Sequence, residues 1–147
     1  MKPGNEMKLV MESRSCNESF ARVAVSSFVA QLDPTIEEIN DIKTAVSEAV
    51  TNCIVHAYAE GLGKIYITVS IFEDNRVRIK IRDTGCGIPD IKKAMEPLFT
   101  TAGEERAGLG FAVMESFMDK LKVQSKVGKG TTISMEKKIS VRTRFNG

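Results

Sequence analysis

The stretch IKIRDTGCGIPD, residues 79–90, decides the fold of this chain and points to its chemistry. An apolar, β-branched run ends at the carboxylate of Asp83, and Gly85 and Gly87 follow with one residue between them. Glycines let a flat ring approach the backbone, and a carboxylate accepts a hydrogen bond from an exocyclic amine. Adenine carries such an amine where guanine carries an oxygen, so the stretch predicts an adenine site. An ordinary Asp-Gly turn explains the same residues equally well.

The composition is typical of one globular domain. The chain has 147 residues, of which 42% are hydrophobic and 27% charged, so we expect a single domain over residues 1–147. A net charge of only +2 lacks the basic excess of a dedicated nucleic-acid binder. No apolar run approaches the roughly 20 residues that cross a bilayer, and the N-terminus has no signal-peptide core. Three scattered cysteines indicate neither a disulfide framework nor a metal cluster. We therefore expect a cytoplasmic protein that contacts neither membrane nor nucleic acid directly.

The spacing of apolar residues predicts the order β, α, α, β, β, loop, α, β, β. Residues 64–72 and 76–82 read as a hairpin around a short turn, and two further strands close the chain around a Gly-Lys-Gly turn. The order is not the regular alternation of a parallel doubly wound sheet. It predicts an α+β fold, a two-layer sandwich with helices packed on one face of a mixed sheet.

The ends of the first two helices carry recognisable signals. Asn17 is expected to cap the first helix, whose apolar positions are 20, 23, 24, 28 and 32. Thr35 and Glu38 fit a capping box at the start of the second helix, and Gly61 fits its end. Both segments are therefore predicted to be helical.

Three polar residues follow one another along the second helix. Glu48 and Asn52 are four residues apart and share a face, and His56 continues the row. A carboxylate and an amide at this spacing could take a proton and hold a cation. A solvated helix edge accounts for the same spacing, and the pattern alone favours that simpler interpretation.

Two more glycine motifs lie further along the chain. Gly108 and Gly110 stand where a helix is predicted to begin, and free N–H groups at a helix start bind anions. Thr131 follows Gly-Lys-Gly at the head of a strand, where its hydroxyl could contact a base. A lone Gly-x-Gly and a plain hairpin turn are the simpler explanations.

The order of these motifs resembles the Bergerat-type ATP-binding domain shared by DNA gyrase, the Hsp90 chaperone, histidine kinases and MutL. SEAVTNCIVHAY, RDTGCGIPD and GLGFAVM match the N, G1 and G2 boxes of that family, and the resemblance covers about residues 35 to 137. NESFARVAVSSFVAQLDPT and MEPLFTT are similar to segments of small serine kinases that act as anti-sigma factors in spore-forming bacteria.

The resemblance implies roles for the residues of the three boxes. Asp83 would bind the adenine amine, with Thr131 nearby, and Glu48 would be the general base. Asn52 would coordinate Mg²⁺, which bridges the phosphates of ATP or ADP. The remaining residues implied to contact nucleotide are Gly85, Gly87, Ile88, Gly108, Leu109, Gly110 and Phe111.

The resemblance also implies an ATP lid at about residues 90–107. Thr100, Thr101 and Arg106 are candidates for touching phosphate when the lid closes. His56 either reaches the nucleotide or is structural, and Arg22 either marks a partner surface or is a solvated helix charge.

The function implied is that of a protein serine/threonine kinase that is also an anti-sigma factor. Such a protein binds and inhibits a sporulation sigma factor and phosphorylates a serine of an anti-anti-sigma factor. A homodimer, pairing sheet with sheet, is also implied. Because no phosphoacceptor hairpin precedes the domain and no further domain follows it, we expect it to act on a separate protein. The alternatives are a nucleotide-gated binding module and an ATPase without protein-kinase activity.

Overall fold

The chain forms five strands and four α-helices in a computed structural model that describes residues 2–95 and 102–141, and only the backbone of residues 102–109. The elements are β1 (Asn5–Glu12), α1 (Cys16–Val29), α2 (Ile36–Asn52), β2 (Lys64–Ile71), β3 (Arg76–Asp83), α3 (Ile91–Ala94), α4 (Ala102–Phe117), β4 (Lys120–Lys126) and β5 (Gly130–Lys138).

The five strands form one sheet in the order β1-β2-β3-β5-β4. Each of the four strand pairs in the described part of the chain is antiparallel, so the prediction of a mixed sheet was wrong. The reason is the number of helices in the first connection. Two consecutive helices return the chain to the end of the sheet where β1 stops, and Lys64 at the start of β2 therefore pairs with Glu12 at the end of β1.

The helices cover one face of this sheet, which confirms the predicted two-layer α+β fold. Alternate residues of the central strands are fully buried beneath them, as Ile67, Ile79 and Ile133 show. Val46 and Met114, both fully buried, supply the facing side chains of α2 and α4. The opposite face of the sheet carries mostly charged and polar side chains.

The buried stripe of α1 differs from the predicted one. Phe20 is 56% exposed and Val23 is 54% exposed, whereas Ala21 and Val25 are fully buried. Phe28 and Leu32 of the predicted stripe are partly buried against the core, so the buried face is rotated only in part from the prediction. Asn17 is not the cap either, because the helix already begins at Cys16, and its Nδ2 donates to the carbonyl of Glu12 at 2.9 Å.

The predicted capping box at the start of α2 is present. The Glu38 N–H donates to Thr35 Oγ1 at 3.0 Å, and the Thr35 N–H donates to Glu38 Oε1 at 2.8 Å. The Glu38 carboxylate also accepts the Ser140 N–H at 2.9 Å. Burial raises the pKa of the Glu38 carboxyl group, but the hydrogen bonds that this group makes with Thr35 and Ser140 together outweigh burial and hold the pKa below its ordinary value. The cap therefore joins the helix to the segment that follows β5.

Replacing Thr35 by alanine should lower the free energy of unfolding by about 1 kcal/mol, because the first turn of α2 loses a side-chain acceptor. Urea unfolding monitored by circular dichroism would measure the change. Thr44→Ala is the matched control, since Thr44 lies within the same helix and its hydroxyl donates to the Asn40 carbonyl. Equal destabilisation by the two changes would contradict a capping role for Thr35.

The second helix ends differently from the prediction. Its α-helical part stops at Asn52, and residues 53–57 form a π turn in which the Tyr58 N–H donates to the Cys53 carbonyl at 3.1 Å. Single π turns inside helices are frequent at functional sites. This one lies directly after the Asn52 side chain of the candidate site.

The expected long loop between Asp83 and Gly108 is partly helical. It contains α3, and α4 begins at Ala102, six residues before the predicted start at Gly108. Glu, Arg and Ala at residues 104–107 favour helix, which explains the early start. Thr100 and Thr101 of the predicted lid lie outside the described residues. Within the described residues, no helix is both long enough and apolar enough to cross a membrane.

Candidate functional site

A cavity of about 530 Å³ lies where the end of α2, the end of β3 and the start of β5 meet α3 and α4. Its walls contain seven of the predicted site residues: Asn52, His56, Asp83, Gly87, Ile88, Phe111 and Thr131. The other lining residues are Ala57, Cys86, Pro89, Asp90, Lys93, Ala94 and Ile133. The cavity is large enough for a nucleotide-sized ligand.

Asp83 lies in the cavity wall at the last position of β3 and is only 4% exposed. Its Oδ1 accepts the N–H groups of Gly85 at 3.0 Å and Thr131 at 3.2 Å. Cys53 Sγ lies 3.6 Å from Oδ2, as a weak donor. Burial raises the pKa of Asp83 above its ordinary value, although the two N–H donors act in the opposite direction. The carboxylate is therefore held rigidly. The two N–H groups occupy both lone pairs of Oδ1, so the free lone pair of Oδ2 remains for a ligand donor.

The glycines after Asp83 let the loop lie directly against other backbone. A Cβ on Gly85 would come within 2.3 Å of the Ala57 carbonyl oxygen, and Gly87 has φ of +77°. The Cys86 N–H donates to the Ala57 carbonyl at 3.2 Å, and its own carbonyl accepts the Gly128 N–H at 2.8 Å. The loop is thus fixed between the π turn and the β4–β5 turn.

Gly85→Ala should weaken binding of an adenine nucleotide at least about tenfold. The added methyl group cannot fit against the Ala57 carbonyl, and relieving an overpacked contact of this kind costs about 1–3 kcal/mol. Isothermal titration calorimetry with ATP would measure the change. Gly61→Ala is the control, because a Cβ on Gly61 meets nothing within 4 Å. Unchanged affinity in Gly85→Ala would show that the close packing of this loop does not shape the site.

Tyr58 and Ser125 also position this loop, and the sequence patterns did not predict either. Tyr58 Oη accepts the Thr84 N–H at 2.7 Å and donates to the Lys64 carbonyl at 2.7 Å. Ser125 Oγ accepts the Ile88 N–H at 2.7 Å. A tyrosine that directly follows a polar helix row is a weak signal for such a contact. Nothing in the sequence signals Ser125.

Glu48 and Asn52 lie together against the backbone of α4. A Cβ on Gly110 would lie 3.1 Å from Glu48 Oε2 and 3.4 Å from Asn52 Oδ1, so glycine leaves this space open. Among the described residues, Asn52 Nδ2 is buried and has no hydrogen-bond partner. A buried polar atom without a partner is costly unless a ligand completes its hydrogen bonds. The arrangement fits a polar ligand held between α2 and α4, rather than the solvated helix edge.

The predicted phosphate cradle differs in its backbone. Gly108 and Gly110 lie within α4, in its second and third turns, instead of at its first residues. Their N–H groups therefore lie inside a helix. The expectation of a free helix N-terminus at these glycines was wrong. Leu109 also lies within α4, as does Arg106, and their side chains are outside the description. The Phe111 ring is buried and lines the cavity.

The remaining predicted residues have the following environments. His56 lies in the π turn and lines the cavity. Cys53 is in the core, and burial, followed by the negative charge of Asp83, raises the pKa of its thiol. Cys86 is exposed. Arg22 lies on α1, outside the cavity, with its Nη1 3.8 Å from Glu18 Oε1.

The donor set for a cation is small. Within the described ranges, no group of three or more His, Cys, Asp or Glu side chains could enclose a metal ion. Magnesium accepts one or two protein oxygens when phosphates and water complete its octahedral shell. The Asn52 amide therefore fits a magnesium–nucleotide complex and does not fit a metal held by protein alone.

Comparison with known proteins agrees with this geometry. A family model described as the histidine kinase-like ATPase domain matches residues 13–137. An anti-sigma F factor from Caldanaerobacter subterraneus subsp. tengcongensis is 59% identical over 95% of this chain and 97% of its own. The anti-sigma F factor of Geobacillus kaustophilus is 55% identical over 92% of this chain and 94% of its own.

Two solved structures share the fold. The crystal structure of the RsbU and RsbW domains of Rv1364c from Mycobacterium tuberculosis has a TM-score of 0.71 at 20% identity, over 99% of this chain and 35% of that one. The catalytic domain of the histidine kinase ThkA has a TM-score of 0.55 at 19% identity, over 89% of this chain and 96% of its own. At these identities the likeness establishes the fold alone.

Proposed function

Because the chain belongs to the histidine kinase-like ATPase family and, within it, to the anti-sigma F factors, we propose that it binds and inhibits a sporulation sigma factor and phosphorylates a serine of an anti-anti-sigma factor. ATP would be the phosphoryl donor and ADP the product. We place this activity in the cytoplasm, where transcription takes place. The premise is the identity of 55–60% to anti-sigma F factors over most of the chain.

One observation supports phosphoryl transfer above the others. A carboxylate, Glu48, and an amide, Asn52, lie together beside Gly110. Asn52 also lines the cavity that holds the buried carboxylate of Asp83. A ligand whose base meets Asp83 can therefore extend toward Asn52 and Glu48. Asp83, which would recognise the adenine, is thus separate from Glu48, which would accept a proton. This separation suits a kinase.

The chain's residues would divide the reaction as follows. The serine oxygen forms a bond to the γ-phosphorus while the bond from that phosphorus to the β–γ bridging oxygen breaks, and ADP leaves. Glu48 accepts the serine proton, and general bases of this kind contribute about 10²–10⁴-fold. The Asn52 amide oxygen would hold Mg²⁺, which neutralises charge on the phosphates. Asp83 and Thr131 would orient the adenine ring of ATP.

The assay that tests this proposal uses the full chain, Mg²⁺, ATP labelled at the γ-phosphate, and the anti-anti-sigma protein of the same cells. Labelled phosphoserine should form on that protein. Phosphate release without a labelled protein would instead favour an ATPase. ATP-dependent exchange of binding partners without any phosphoserine would favour a nucleotide-gated binding module.

The exposed stripe of α1 is the surface we propose for a protein partner. Phe20 and Val23 are more than half exposed there, and Arg22 lies between them in sequence. Large apolar side chains beside an arginine are typical of the centres of protein interfaces. The surface lies outside the cavity, so a sigma factor could bind α1 without occupying the nucleotide site.

A homodimer that pairs sheet with sheet is also proposed. The open face carries Arg78, Lys80 and Lys122 on the β3–β5–β4 side, and stacking these cations on a second copy would be repulsive. On the other side Val10 faces Tyr66 across β1 and β2, and Val10 is 54% exposed. A symmetric contact centred on β1 and β2 would bury apolar surface and keep the cations apart.

A further inference from the structure

Ser125 lies on β4 directly opposite Thr131 on β5. Its Oγ is within hydrogen-bond distance of three groups. It accepts the Ile88 N–H at 2.7 Å, donates to the Gly130 carbonyl at 3.0 Å, and lies 2.7 Å from Thr131 Oγ1. Ser125 does not line the cavity, whereas Ile88 and Thr131 do. It therefore touches the site only through these neighbours.

The number of protons fixes the direction of these hydrogen bonds. A serine hydroxyl has one proton and two lone pairs. The Gly130 carbonyl can only accept and the Ile88 N–H can only donate, so Ser125 gives its proton to Gly130 and one lone pair to Ile88. The contact with Thr131 then needs the Thr131 proton, which fills the second lone pair of Ser125. This is the arrangement in which all three contacts are hydrogen bonds.

Thr131 consequently turns its proton away from the cavity. The lone pairs of Thr131 Oγ1 that face the cavity can only accept a hydrogen bond. The Thr131 backbone N–H donates to Asp83 Oδ1 at 3.2 Å. The Asp83 carboxylate is an acceptor as well. The neighbouring side chains of Asp83 and Thr131 thus present acceptors to the ligand and no donor.

We propose that Ser125 strengthens the base specificity that Asp83 provides, by holding the Thr131 hydroxyl as an acceptor that favours a purine with an amino group at position 6 over one with an oxygen there. The inference rests on the proposed binding of ATP. An oxygen at position 6 would meet two acceptors and leave buried polar groups unmatched, which is the kind of mismatch that gives strong discrimination.

Ser125→Ala tests the inference, with ATP and inosine triphosphate as the two probes and calorimetry as the measurement. Inosine triphosphate carries an oxygen in place of the 6-amino group. Without Ser125, the Thr131 hydroxyl can rotate and donate to that oxygen. The ratio of the two dissociation constants, inosine triphosphate over ATP, should fall about tenfold. The lost Ile88 contact should weaken both nucleotides alike and leave the ratio unaffected.

Three variants make the test specific. Ser125→Thr keeps the hydroxyl and should keep the ratio, and Ser134→Ala, a serine on the other face of β5, should not change it. In a Thr131→Val background, Ser125→Ala should leave the ratio constant, because the hydroxyl that it reorients is gone. An unchanged ratio in folded Ser125→Ala, or the same change in both backgrounds, would overturn the inference. Failure of the unaltered protein to bind ATP would reject the proposed function itself, and this inference with it.

Discussion

Glu48→Gln should slow serine phosphorylation by about 10²–10⁴-fold, which is the contribution that a general base makes. Glutamine keeps the shape of the side chain beside Gly110 but cannot accept a proton at neutral pH. The dissociation constant for ATP should change little, since Asp83 and the loop that holds it are untouched. Single-turnover phosphorylation of the partner protein would measure the rate, and calorimetry the affinity.

Glu37→Gln is the matched control for this change. Glu37 is an exposed glutamate in the first turn of the same helix, far from the residues that meet at Gly110. Its replacement should leave the phosphorylation rate within about twofold, because surface substitutions away from special features rarely exceed 0.5 kcal/mol. A Glu48→Gln protein that transfers phosphate at the normal rate would remove Glu48 from the reaction and leave Asn52 without its proposed partner.

Asp83→Asn should weaken ATP binding by about tenfold or more. The amide oxygen can still accept the N–H groups of Gly85 and Thr131, but the amide nitrogen then faces the ligand. Two donors would meet where one donor and one acceptor met before, and a mispaired buried polar group costs about 1–3 kcal/mol. Titration of the folded variant with ATP measures the loss, and Asp74→Asn, in the β2–β3 turn, serves as the control.

The same variant should be at least as stable as the unaltered protein near pH 7. Burial raises the pKa of Asp83 in the folded state above its ordinary value of 3.8. The folded state then binds this proton more tightly than the unfolded chain does, so stability decreases as pH rises from 3.8 through the raised pKa. An ionised Asp83 therefore costs stability at neutral pH, and asparagine avoids that cost. Lower thermal stability together with weaker binding would point to a structural role for Asp83 instead.

The sequence by itself determined much of the architecture. Capping signals at Thr35 and Glu38, alternation in the central strands and turn residues between them are local features, and each depends on residues close in the chain. The resemblance carried by the motif order also implied that Thr131 lies near Asp83, and the structure places them at the ends of strands that pair. The two residues are direct partners in the register of β3 and β5.

Only the tertiary structure decided the features that depend on distant contacts. Tertiary packing decides which side of α1 is buried. Apolar residues occur at neighbouring positions such as 20 and 21, and helical spacing alone does not choose between them. The antiparallel pairing of β1 with β2 follows from how the two helices between them return the chain. The positions of Gly85 against Ala57 and of Gly110 against Glu48 require backbones that approach from separate parts of the chain. The direction of the Thr131 proton is set by Ser125, and such a choice is made by a neighbouring strand rather than by any local pattern, because a hydroxyl turns to whichever acceptor folding places beside it.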